Sequence, residues 1–196
     1  MSANKPLNRK EQLEQVATLL FMEKGYVAST MRDLANKLGI EAASLYSHIK
    51  SKEEILQKIC SRMAKEFFEA INKIESEESQ SMSEKLSKYI IAHTEVITRD
   101  TAAAQVFINE WKHLSDPHLS AFMKQRLEYE TRFVTILEKG ILSGDFEIAD
   151  VKLTVLTILS SLNWIPNWFK PTGEMNAHQI GSQLANILIN GIRASR

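Results

Sequence analysis

The chain has 196 residues, 44% of them hydrophobic, with 24 basic side chains matched by 24 acidic ones. That apolar share is enough to bury a substantial core, and a net charge of zero excludes a protein that holds polyanions by bulk charge alone. One cysteine, Cys60, rules out an intrachain disulfide, and seven glycines and four prolines suit a helical chain with few loops.

The first predicted helix carries Leu13, Val16, Ala17, Leu20 and Phe21 at helical spacing and stops at Gly25. Thr30, with Asp33 three residues on, caps a second helix whose apolar stripe is Met31, Leu34, Ala35 and Leu38, and Gly39 ends it. A third, Glu41 to His48, makes barely two turns before Ser51 and Glu54 open a fourth that runs to about Ile74. The polar segment "ESEESQSMS" then leads to a further cap at Ser81 and Glu84. Beyond it the pattern predicts helices over Lys85–Thr98, Ala102–Leu114, His118–Lys139, Val151–Lys170 and Ala177–Ala194. Asp116-Pro117 and Gly140 to Asp150 read as breaks, and Pro166 should kink or end its helix. No stretch alternates with period two, so the fold class is all-α. A head over residues 1–52 precedes a larger body over 53–196, joined by the Ser51–Ile74 helix.

Helix, glycine turn and short second helix make a helix-turn-helix. Leu45 and Ile49 hold the short helix on the head's core and free its other face for a DNA major groove. Ala42, Ala43 and Ser44 are small enough to let the backbone approach the bases. Tyr46, Ser47 and His48 can donate to phosphates. So can the amides at the helix starts set by Thr30 and Ser51, helped by Lys50 and Lys52.

The stretch "STMRDLANKLGIEAASLYSHIKSKEEIL", after a helix ending "FMEKGY", resembles the DNA-binding head of the TetR (tetracycline-repressor) family of transcriptional regulators. The resemblance covers about residues 9–58. It implies an all-α homodimer that binds palindromic double-stranded operator DNA and whose body takes a small effector. Glu41 and Ile49 depart from the family's pattern, which commonly has Ser or Thr and an aromatic there. An acid at 41 repels phosphate, yet it can cap the helix or accept from a cytosine amino group.

In the body, "SSLNWIPNWFKPTG" together with "FINEWKHLSDP" and "KQRLEYETRF" resembles TetR regulators that sense acyl-CoA thioesters. The helices that the family uses for its cavity then place Ile91, Phe107, Trp111, Tyr129, Phe133, Leu159, Asn163 and Trp164 around an apolar pocket. Arg126 and Arg132 are candidates for meeting an anionic ligand. Glu110, if buried, would favour a cationic drug, so a multidrug-sensing repressor is the alternative. An all-α enzyme is the competing class, but no nucleophile–base pair or phosphate loop supports it. His113, Asp116 and His118 fit no standard zinc spacing, and no metal or cofactor is expected.

Leu153, Leu156, Thr157 and Ser160 form one apolar or small stripe, and Leu184, Ile187, Leu188 and Gly191 another. As the family implies, two such helices from each subunit would form a four-helix dimer interface. With one packed thiol, no signal-peptide pattern and no apolar run of membrane length, a cytoplasmic protein without a membrane partner is expected.

Overall fold

The structure is a computed structural model that describes residues 8–76 and 81–191, all-α with no strand among them. Part of the polar segment after Glu75, and the end of the last predicted helix, lie outside the described residues. Among the described residues no helix is long and apolar enough to cross a membrane.

Three helices form the head. α1 (Arg9–Lys24) starts on a capping box in which Asn8 and Glu11 each accept from the other's backbone amide. It ends at Gly25, whose φ of 79° lies in the region that favours glycine. α2 (Met31–Leu38) has the predicted Thr30–Asp33 box and stops at Gly39. α3 is shorter than expected, Ala42–Leu45, and the chain turns from Tyr46 to Lys50. No side chain caps its start, and only Leu45 among its four residues is buried. Leu45 and Ile49 sit in the head's core with Leu13, Leu20, Leu34, Ile55 and Leu56, which is what holds so brief a helix in place.

α4 (Lys52–Glu75) runs from the head into the body. Ser51 caps it by accepting from the Glu54 amide, while the Glu54 carboxylate accepts from the Lys50 amide one residue upstream of the cap. Ile55 and Leu56 belong to the head's core, and Met63, Phe67 and Ile71 to the body's. α5 (Met82–Arg99), α6 (Thr101–Asn109) and α7 (His118–Ser143) pack on α4, while α8 (Val151–Asn163) packs on α7 and α9 (Ala177–Asn190) on α5. Cys60 lies in this core, and burial pushes its thiol up to about 12, as suits an inert packed side chain.

Three boundaries differ from expectation. α6 stops at Asn109, and Trp111–His113 continues as one 3-10 turn. α7 runs through Gly140, and the break comes instead at Gly144, with φ 79°. Gly140 is there because the Phe146 ring folds back onto the helix; a Cβ at 140 would meet its Cδ2 at 2.2 Å. α8 ends at Asn163, just ahead of Pro166, which sits in a separate 3-10 turn over Ile165–Asn167.

Candidate DNA-reading head and effector cavity

The head presents Glu41, Ala43, Ser44, Tyr46, Ser47, His48 and Lys50 as an exposed run, with Ala42 half-buried behind them. Glu41 makes no cap bond, so its carboxylate is left on the exposed side of α3's start. Ser47 Oγ donates to the Ser44 carbonyl at 2.7 Å, which ties the turn rather than leaving the proton free. Thr30 is exposed, but its hydroxyl donates to Asp33 Oδ2 at 2.7 Å and accepts from the Asp33 amide. Arg32, on the exposed side of α2, was not among the expected contacts; a lone Arg in a helical pattern carries no sequence signal for that role.

Lys52 has a different task from the phosphate contact expected of it. Its Nζ donates to the carbonyls of Tyr26 at 2.5 Å and Ser29 at 2.7 Å, and lies 4.1 Å from the Tyr26 ring centre. The ammonium therefore holds the α1–α2 turn from inside. Burial lowers its pKa, with Glu110 partly opposing that effect.

The same corner joins head to body. Tyr26 stacks on His113 at 5.3 Å, and Glu53 accepts from the Ser115 amide at 2.7 Å. Glu110 faces Gly25 and pairs with His113 at 3.4 Å, so it serves this junction and not a drug pocket. Nearby, Arg62 of α4 bonds Glu14 of α1, Glu66 of its own helix and Asp100, the N-cap of α6.

In the body, α4 to α8 enclose a cavity of about 130 Å³ that opens to the surface. Phe107, Trp111, Arg126, Tyr129, Leu159 and Asn163 line it as expected. Ile91, Phe133 and Trp164 do not. Ile91 lies at the α5–α9 crossing, 2.9 Å from where a Cβ on Gly181 would fall. Phe133 is fully buried behind Tyr129, and Trp164 is 64% exposed. Leu156 and Ser160, expected at a dimer interface, also line the mouth. Arg126 lies over the Trp111 ring at 5.2 Å, whereas Arg132 is paired with Glu75 and Glu128 away from the cavity.

Phe67 and Phe122 were missed because core and cavity aromatics share one helical period. Phe67 packs 4.7 Å from His93 and 5.5 Å from Phe107, and Phe122 stacks on Trp111 at 5.4 Å. His93 was also missed. It is buried on the cavity wall, its Nδ1 lies 3.0 Å from the Tyr129 hydroxyl, and its Nε2 makes no hydrogen bond. Burial pushes the imidazole down to about 3, offset in part by the Asn163 amide beside it.

Elsewhere on the body, Leu153 and Ile187 are 63% and 66% exposed, and Leu156 and Trp168 are exposed as well. Leu184 and Leu188 are half-buried against the core, and Gly191 is exposed. Among the described residues no group of three or more His, Cys, Asp or Glu is placed to hold a metal ion.

Residues 15–59 match the bacterial regulatory proteins of the tetR family, and residues 79–192 match the tetracyclin repressor-like C-terminal domain. The chain belongs to the TetR family. It is 32% identical over 196 residues to the HTH-type transcriptional repressor KstR2 of Mycolicibacterium smegmatis, covering 98% of this chain and 95% of that one. The structure of the ketosteroid transcriptional regulator KstR2 of Mycobacterium tuberculosis superposes with a TM-score of 0.88 at 28% identity over the full length of both chains. The crystal structure of AibR in complex with isovaleryl coenzyme A and operator DNA shares the fold, with a TM-score of 0.79 at 21% identity over 93% of this chain and 98% of that one. As a TetR protein the chain is a DNA-binding transcriptional regulator and not an enzyme, and the helix-turn-helix of α2 and α3 is its reading head.

Proposed function

We propose that this regulator is a repressor that binds a palindromic operator as a homodimer and leaves it when an acyl-CoA thioester enters the body cavity. One observation carries the coupling. α4 buries Ile55 and Leu56 in the head and, three turns on, presents Ala64, Phe67 and Phe68 to the cavity. Anything that wedges those side chains moves the helix whose Ser51 end holds the reading turn. The spacing of two recognition helices then departs from about one DNA turn, roughly 34 Å. Release from about 99% to about 1% occupancy needs roughly 5.5 kcal/mol of differential effector affinity.

The effector class rests on size and charge. A dry apolar cavity of ~150 Å³ holds one benzene ring, so 130 Å³ takes one ring or a short acyl group in the arrangement described. The rest of a larger effector must lie outside. There the exposed Arg126 guanidinium suits the phosphates of a coenzyme tail. The relatives point the same way, one named for ketosteroid regulation and one solved with an acyl-CoA. For DNA, the exposed run Glu41 to Lys50, the α2 amides and Arg32 are the contacts proposed. The exposed apolar side chains of α8 and α9 are the proposed dimer surface.

The test is titration of short, long and ring-bearing acyl-CoAs into the complex with the regulator's own upstream DNA, followed by fluorescence anisotropy. Release by an acyl-CoA at micromolar concentration is expected. If none releases DNA while a neutral or cationic drug does, the acyl-CoA reading fails.

A further inference from the structure

A continuous belt of aromatic rings borders the cavity. Trp111 stacks on Phe122 at 5.4 Å, Phe122 meets Phe107 at 5.2 Å, and Phe107 meets Phe67 at 5.5 Å. Phe67 then meets Tyr129 at 5.5 Å, and Tyr129 meets Phe68 at 5.8 Å. All six side chains line the same space, and they come from α4, α6, the 3-10 turn after it and α7. α8 adds aliphatic side chains, Leu156 and Leu159.

Three junctions in the belt are steep, at 62°, 67° and 87°, and two are shallower, at 18° and 37°. Such a wall presents ring faces and ring edges side by side. An aromatic ring has a negative face and a positive edge, so a guest ring can continue the pattern edge to face. A saturated ring or an alkyl chain buries similar area but has no quadrupole to match. The buried polar groups do not compete with this. His93 Nδ1 and the Tyr129 hydroxyl bond each other at 3.0 Å, and His93 Nε2 is closed to water with the Asn163 amide beside it. Gln125, Arg126 and Ser160 on the lining are exposed to solvent. Volume sets the number of rings: a dry cavity of ~150 Å³ holds one benzene, and this one measures about 130 Å³.

We propose that the cavity is a slot for one aromatic ring, and that the buried end of the effector is an aryl acyl group, not an alkyl chain or a saturated ring. This rests on the reading of the cavity as the effector site. Phe107 and Phe122 are its specificity-determining residues, because each meets a belt ring on either side and the two cross at 67°.

The benzoyl, cyclohexanecarbonyl and hexanoyl thioesters of N-acetylcysteamine test this. They share the thioester, differ in the acyl group alone and lack the coenzyme's phosphates. Dissociation constants are measured on the full chain without DNA, by ligand-observed NMR. Each is referred to the compound's own water–alkane partition, so that differences in hydrophobicity cancel. Wild type should prefer the benzoyl compound to the other two by about five- to tenfold, a comparison that depends on no variant's folding. In Phe122→Leu the preference should shrink to about twofold or less. It should survive in Leu159→Ala, which also enlarges the cavity but removes no ring. Equal corrected affinities in wild type, a preference lost as fully in Leu159→Ala as in Phe122→Leu, or no binding of any thioester to wild type at millimolar concentration overturns the proposal. The two readings fail separately. A benzoyl preference beside a failure of every acyl-CoA to release operator removes the effector reading alone. Release of operator by acyl-CoAs, with no aryl preference among the thioesters, removes the aromatic slot alone.

Discussion

Lys52 Nζ lies 4.1 Å from the centre of the Tyr26 ring and donates to the Tyr26 carbonyl at 2.5 Å. A cation that looks from the sequence like a phosphate contact is therefore a brace inside the head. Lys52→Met keeps the stem but takes the ammonium donor from the carbonyls of Tyr26 and Ser29, leaving the Tyr26 carbonyl only the Ser29 amide at 3.3 Å. It should destabilise the chain by about 1–3 kcal/mol in denaturant unfolding. Its DNA affinity should fall without any change in the salt dependence, because no phosphate contact is lost. A slope of log K against log salt that drops by about one would instead mark Lys52 as a phosphate ligand.

That distinction marks how far the sequence could be read. The caps at Thr30–Asp33 and Ser81–Glu84 were legible because the signal is local, whereas the equally local pairs Asn8–Glu11 and Asn176–Gln179 were passed over. Gly140 misled for the opposite reason: the ring that demands it, Phe146, comes back from six residues on. The cavity was half legible. Trp111 and Tyr129 fell in it, but Ile91 on α5 and Phe133 on α7 lie on other faces of helices that line it, and a helical period does not say which neighbour each face meets. His93 carried no signal at all, since a lone histidine in an apolar stripe becomes distinctive only when its unbonded Nε2 is seen.

Gly140→Ala tests the close contact between α7 and the turn after it. The added methyl would fall 2.2 Å from Phe146 Cδ2, in a core with no room to yield, and overpacking of this kind costs about 1–3 kcal/mol. The loss should appear as a lower denaturation midpoint with an unchanged slope. Adding Phe146→Leu should restore part of it. If Gly140→Ala is neutral, Phe146 does not pack there in solution.

His93 also makes a pH signature in stability. Its folded value is about 3 against an ordinary 6.5, so the unfolded chain takes up the proton first as pH falls. A depressed value contributes stability above the unfolded pKa and loses it below. At pH 5.5 the loss is about 1 kcal/mol relative to pH 8. The groups packed on the ring, Phe67, Tyr129 and Asn163, carry no charge in that window. His93→Phe should remove this component, so the gap between the variant and wild type should shift by about 1 kcal/mol over the same interval. A gap that is constant with pH would mean that the imidazole protonates freely in the folded protein.

Arg62 sits where an effector's push must pass to reach the head. Nε meets Glu14 of α1 at 3.0 Å, one Nη meets Glu66 of α4 at 3.2 Å, and the other meets Asp100, the cap of α6, at 3.1 Å. α6 carries Phe107 and Ile108 on the cavity wall, and α4 carries Ala64 less than one turn beyond Arg62. One guanidinium thus ties two walls of the cavity to the first helix of the head. The pairs are 37% exposed at the arginine, and such ion pairs contribute about 1 kcal/mol or less each, so stability alone is a poor readout. Coupling is the sensitive one, because the network matters only if its two ends move together. Arg62→Met should leave DNA affinity without effector within about threefold of wild type. It should also shrink the ratio of DNA affinities without and with saturating acyl-CoA by about five- to tenfold, a coupling loss within the usual 1–3 kcal/mol range. Both constants come from anisotropy titrations of the same operator. A ratio equal to wild type would show that α4's packing carries the signal without the Arg62 network.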